Sequence, residues 1–80
     1  MLNKKYNDAQ TADHLRAVEK HITRLGKLTD DISNTTEPYV RKSLSDQLAR
    51  EAEAAGTAVK KYIQSGGDPE KVAAFYNLDP

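Results

Sequence analysis

Apolar residues in the first third of the chain recur at the spacing of one helix face. The repeat runs through Leu15, Val18, Ile22, Leu25 and Ile32, at intervals of 3, 4, 3 and 7 residues. Thr29 occupies the missing heptad position, and Leu28 flanks it. This pattern predicts an amphipathic helix over about 8–33. Asn7 with Gln10, or Thr11 alone, is the candidate cap at its start.

A second helical pattern covers about 37–64. Pro38 suits the first helical turn, and Thr36 could cap it from outside. The predicted apolar side consists of Leu44, Leu48, Ala52, Ala55, Val59, Tyr62 and Ile63. Small residues fill the middle of this segment: Ala49, Ala52, Ala54, Ala55, Gly56 and Ala58. They indicate either a close helix crossing or simply an alanine-rich helix of high propensity.

The strongest local signal precedes a short third helix, predicted over about 69–77. Gly66 or Gly67 is expected to end the second helix in the left-handed conformation. Asp68 then caps the new helix, Pro69 takes its first position, and Glu70 favours the positive end of its dipole. Its apolar face, Val72, Phe75 and Tyr76, must dock. It contributes either to the core or to a surface that binds a partner.

These elements predict an all-α protein, an antiparallel helical hairpin with a short third C-terminal helix, in one small domain over 1–80. The core is thin, because 38% of the 80 residues are apolar and ten of those are alanine. We therefore expect the chain to self-associate into a helical bundle, as a dimer or higher oligomer. The alternative is that the third helix folds back and closes a monomeric three-helix bundle.

Composition removes several classes of protein. Without cysteine, disulfide scaffolds, thiol catalysis and cysteine-ligated metals are excluded. No apolar run approaches the length of a membrane span, and the N-terminal residues lack a secretory signal pattern, so we expect a cytoplasmic protein without a membrane partner. Twelve basic and twelve acidic residues cancel, which argues against a surface coated in positive charge.

A local basic stripe nevertheless follows the first helix, opposite its apolar seam. It consists of Arg16, Lys20, Arg24 and Lys27. Residues 14–28 contain these four bases and one acid, Glu19, for a local charge of +3. Like charges four residues apart weaken a helix slightly. The stripe is either a solvated face or a binding surface for an acidic protein or for nucleic acid.

Other candidate chemistry points to structure. His14 and His21 share a helix face but lie about 10.5 Å apart along the axis, too far to share one metal ion. Neither a nucleophile elbow nor a phosphate-binding loop is present. Two adjacent acids near the end of the first helix, Asp30 and Asp31, are expected to pair across the turn with Arg41 and Lys42. We expect no metal and no cofactor.

The sequence therefore favours a small non-enzymatic interaction or adaptor protein, which self-associates and binds another protein to modulate it. The candidate surfaces are the basic stripe and the apolar face of the third helix. One alternative is a nucleic-acid-binding regulator that uses the stripe. The other is a small-ligand or nucleotide binder with its site at a subunit interface.

Overall fold

A computed structural model describes the backbone of residues 4–76 and the side chains of residues 9–76. It contains three helices and, over the described residues, no strand: α1 (Lys4–Ser33), α2 (Pro38–Gln64) and α3 (Pro69–Tyr76). Helix α2 packs antiparallel along α1, and α3 packs mainly on α1. The predicted all-α hairpin with a short third helix is confirmed. Residue 77, the predicted end of the third helix, lies outside the described residues.

Helix α1 starts earlier than the sequence pattern predicts, so the predicted cap is wrong. The helix begins at Lys4, which places Asn7, Gln10 and Thr11 in its interior. Lysine, alanine and glutamine tolerate helix interiors well, so no residue in this stretch forces a start. The Thr11 hydroxyl instead donates to the Ser65 carbonyl at 2.9 Å, which ties α1 to the end of α2.

The turn between α1 and α2 confirms one prediction and overturns two. Pro38 takes the first helical position, but the N-cap is Glu37, without a side-chain bond, rather than Thr36. The Thr35 hydroxyl accepts the Glu37 N–H at 3.4 Å.

The predicted ion pairs across this turn are also wrong. Arg41 donates to the Thr35 carbonyl at 3.3 Å. Asp31 lies 3.8 Å from Lys27 on its own helix. Asp30 and Lys42 form no ion pair among the described residues. A carbonyl and an i,i+4 neighbour are nearer partners than charges on the opposite helix end.

The end of α2 has the geometry that the glycines predict. Gly66 has φ +95°, in the left-handed region. The Gly66 N–H donates to the Ile63 carbonyl at 3.0 Å and the Gly67 N–H to the Tyr62 carbonyl at 2.9 Å. These two bonds form a Schellman motif. Asp68 caps α3 by accepting the Glu70 N–H at 2.9 Å.

The hydrophobic core lies at the open end of the hairpin, where α3 docks. Its buried residues are Val18, Ile22, Ala55, Ala58, Tyr62 and Val72. Leu15, Ala17, Val59 and Phe75 pack around the main cluster. The other half of the hairpin, from residue 23 to residue 54, contains no buried residue. The third helix thus closes a core of three helices over one end only.

Candidate functional site

The basic stripe is exposed, as predicted, but acids accompany most of it. Arg16 bonds Asp13 at 2.9 Å, and both side chains are more than two-thirds exposed. Lys27 lies 3.8 Å from Asp31. Lys20 forms no ion pair among the described residues. Exposed pairs of this kind contribute little stability, but they offset the positive field that a polyanion would meet.

Arg24 differs from the other stripe residues because its side chain lies near an acid of α2. Its Nε lies 3.7 Å from Oε2 of Glu51. The other carboxylate oxygen of Glu51 lies 2.5 Å from His21 Nδ1. The Glu51 side chain is 12% exposed, so it is the most enclosed acid of the described ion pairs. These contacts join residues 27 and 30 positions apart and fix the two long helices against each other.

Sequence reasoning did not single out Glu51 as a link between helices. A signal was present: Leu48, Glu51 and Ala55 follow one row of α2, so an acid sits within the apolar side. An acid there requires a partner on the facing helix. Only the packing of α1 against α2 shows that this partner is His21.

An open groove of about 560 Å³ runs between α1 and α2 on the side that carries both histidines. Ala17, Ala54 and Ala58 contribute its apolar lining. The polar lining is His14, His21, Arg50, Glu53, Thr57 and Lys61. Among the described residues, no three histidine, cysteine, aspartate or glutamate side chains gather so as to hold a metal ion.

The apolar face predicted for the third helix is divided between core and surface. Val72 is 8% exposed and belongs to the core. Phe75 is half-buried against that core. Only Tyr76, 58% exposed, remains largely accessible. Helix α3 is therefore mainly structural, because two of its three apolar anchors are used within the chain.

A second groove, of about 530 Å³, separates the end of α3 from α1. Phe75 and Tyr76 form one wall, and Ile22, Leu25 and Thr29 contribute to the other. Gly26 also lines it, and a Cβ at this position would meet nothing within 4 Å.

In the described part of the chain, the half of the hairpin near the turn leaves apolar side chains partly or largely exposed. Leu25, Leu28, Ile32, Leu44 and Leu48 are only half-buried. Tyr39 is 83% exposed and Val40 is 44% exposed. Helix α3, about 12 Å long, reaches only the edge of this half, where Phe75 and Tyr76 face Leu25 and Thr29 across a groove.

Helix α2 also exposes a row of small and aliphatic residues beside its core-facing side. We call this the α2 row: Ser45, Ala49, Ala52, Gly56, Val59 and Ile63. Val59 is half-buried and the other five are exposed. A Cβ at Gly56 would meet nothing within 4 Å, so the close crossing that could explain this glycine does not occur within the described chain.

Comparison with protein families, with curated proteins and with solved structures found no significant match to this chain. In the described part of the chain, no helix combines the length and the apolar character needed to cross a membrane.

Proposed function

We propose that this protein is a small non-enzymatic interaction protein that self-associates and, as an oligomer, binds another protein. The observation that carries the proposal is the one-sided core. Of the described residues, the six that are buried lie at the end covered by α3, while five large aliphatic side chains near the turn are half-exposed. Exposed apolar surface of this kind is typical of an interface between proteins.

The proposal assigns a different binding role to each side of the hairpin. Self-association would cover apolar surface on the side of α3. The groove that is lined by His14 and His21 lies on the opposite side. Two cations that also line this groove, Arg50 and Lys61, form no ion pair among the described residues. An apolar floor with unpaired cations fits an acidic amphipathic segment of a partner protein. A cytoplasmic location remains part of this proposal.

The two alternatives have weaker support. For nucleic acid, three of the four stripe cations lie within 4 Å of a carboxylate, which reduces the positive charge available to phosphates. For a small ligand at a subunit interface, the open grooves of the monomer offer little enclosure, whereas small-molecule sites bury most of their ligand.

Sedimentation equilibrium over a hundredfold range of protein concentration tests the self-association. We expect a mass of at least twice 8.9 kDa at the higher concentrations, and a melting temperature that rises with concentration. A mass of 8.9 kDa throughout, with a constant melting temperature, would overturn the proposal.

A further inference from the structure

The chain exposes more surface than a compact protein of its mass. Its accessible area is 6201 Å². A folded monomer of 8.9 kDa exposes about 4,800 Å² by the usual scaling. The excess, about 1,400 Å², is larger than the roughly 800 Å² that each partner buries in a standard stable interface. A second copy that formed an interface of standard size would therefore bury more than half of this excess on each chain.

The α2 row has the composition of an interface core. It contains no charged residue from Ser45 to Ile63, a length of about 27 Å along the helix. By contrast, the four described ion pairs and the groove with the two histidines use other faces of α1 and α2. Depletion of charge at the centre of a patch is the compositional mark of an interface.

The side-chain sizes along the α2 row are complementary to those of a second α2 row that runs in the opposite direction. If two α2 helices pack antiparallel about a two-fold axis level with residue 54, Ser45 meets Ile63 of the second copy. Ala49 then meets Val59, and Ala52 meets Gly56. Each large residue faces a small one, which is what an isologous interface requires.

The same arrangement accounts for Gly56 and for charges at the edge of the row. A glycine inside a helix costs about 1 kcal/mol against alanine. Among the described residues nothing lies within 4 Å of a Cβ built at Gly56, but a closely packed helix from a second copy would. In this arrangement Lys60 of one copy lies within two residues of the level of Asp46 of the other copy, and the two side chains have opposite charge. The two-fold axis makes this approach occur twice.

We infer that the partner covering this face is a second copy of the chain, docked through an antiparallel contact between the two α2 rows centred between Ala52 and Gly56. This inference rests on the proposed self-association and specifies its surface. Two hairpins joined in this way form a four-helix core, with α3 of each copy at its outer ends.

The test compares Ala52→Glu with Thr57→Glu by sedimentation equilibrium. Both positions are exposed on α2, but only Ala52 belongs to the α2 row. We expect Ala52→Glu to raise the dimer dissociation constant at least about 100-fold, because symmetry buries two like charges near each other. We expect Thr57→Glu to leave it within about threefold, as a surface change does.

The outcomes separate this inference from the proposed function. A wild-type dimer that Ala52→Glu does not weaken would overturn the α2 contact and leave self-association standing. A monomeric wild type would overturn both.

If circular dichroism shows that Ala52→Glu does not fold, cross-linking tests the α2 contact instead. Because the chain has no cysteine, each variant carries a single thiol, so a disulfide between unlike chains in a mixture of Ala52→Cys and Gly56→Cys protein joins these two positions. A disulfide-linked heterodimer is expected, and Ala52→Cys mixed with Thr57→Cys is the control. Absence of the heterodimer, or equal yield in the control, would overturn the inference.

Discussion

Tyr62 joins three parts of the molecule at once. Its side chain is 2% exposed in the core. Its hydroxyl accepts the Asp68 N–H at 2.9 Å, at the start of α3. Its carbonyl accepts the Gly67 N–H, within the turn that ends α2. One residue therefore sets where α2 ends and where α3 docks.

Gly67 is required because the Tyr62 ring occupies the place of a side chain. A Cβ on Gly67 would lie 2.3 Å from two ring atoms. We expect Gly67→Ala to lower the free energy of unfolding by about 1–3 kcal/mol, because the ring is held by the core and cannot move aside cheaply. Urea unfolding followed by circular dichroism measures this.

The control for that experiment is Gly26→Ala, where a Cβ meets nothing within 4 Å and the residue lies inside α1. We expect this change to raise the free energy of unfolding by up to about 1 kcal/mol, through helix propensity alone. Equal stability of Gly67→Ala and the wild type would show that the ring does not hold this position.

The local sequence signals for helix ends differ in how well they predict the structure. Pro38, Gly66 and Asp68 mark helix ends through backbone chemistry that acts within a few residues, and the structure confirms each. Thr11 and Thr36 have the same local chemistry as caps, yet neither caps a helix. Thr11 bonds Ser65, a residue 54 positions away, which a local pattern cannot reveal.

Glu51 provides the clearest test of how α1 and α2 are held together. We expect Glu51→Ala to lower the free energy of unfolding by about 1.5–3 kcal/mol, because it removes a hydrogen bond between a charged group and His21 in a half-buried site. Thermal and urea unfolding measure the change.

Asp13→Ala is the matched control, since the Asp13–Arg16 pair lies within one helix and is mostly exposed. Its removal should change the free energy of unfolding by less than about 0.5 kcal/mol. If both variants lost the same small amount, the contact between Glu51 and His21 would not stabilise the hairpin.

At the scale of the whole molecule, the basic stripe is largely offset by acids while apolar side chains stay exposed. The chain has zero net charge, and three of the four stripe cations lie within 4 Å of a carboxylate. The exposed apolar residues lie near the turn and along the α2 row. This combination favours association between proteins over attraction to a polyanion.

A fluorescent 20-base-pair DNA duplex tests the nucleic-acid alternative. At roughly 150 mM salt we expect a dissociation constant no tighter than the 1–100 μM range of nonspecific contacts, because so few stripe cations are unpaired. Fluorescence anisotropy over a series of salt concentrations measures it. Tight binding that weakens steeply with salt, and that Lys20→Ala reduces more than Arg24→Ala, would favour the alternative.

The sequence by itself determined the three helices, the glycine turn after α2 and the cap of α3. These depend on periodicity and on backbone preferences within a few residues. It also placed the basic stripe on an exposed face, because helix spacing settles which residues share a side.

Only the tertiary structure decided how those faces are used. It showed that α3 covers one end of the hairpin, that Val72 and Phe75 belong to the core, and that Glu51 links His21 and Arg24. Such contacts depend on distances between residues far apart in the sequence, which the crossing of packed helices sets and local spacing does not.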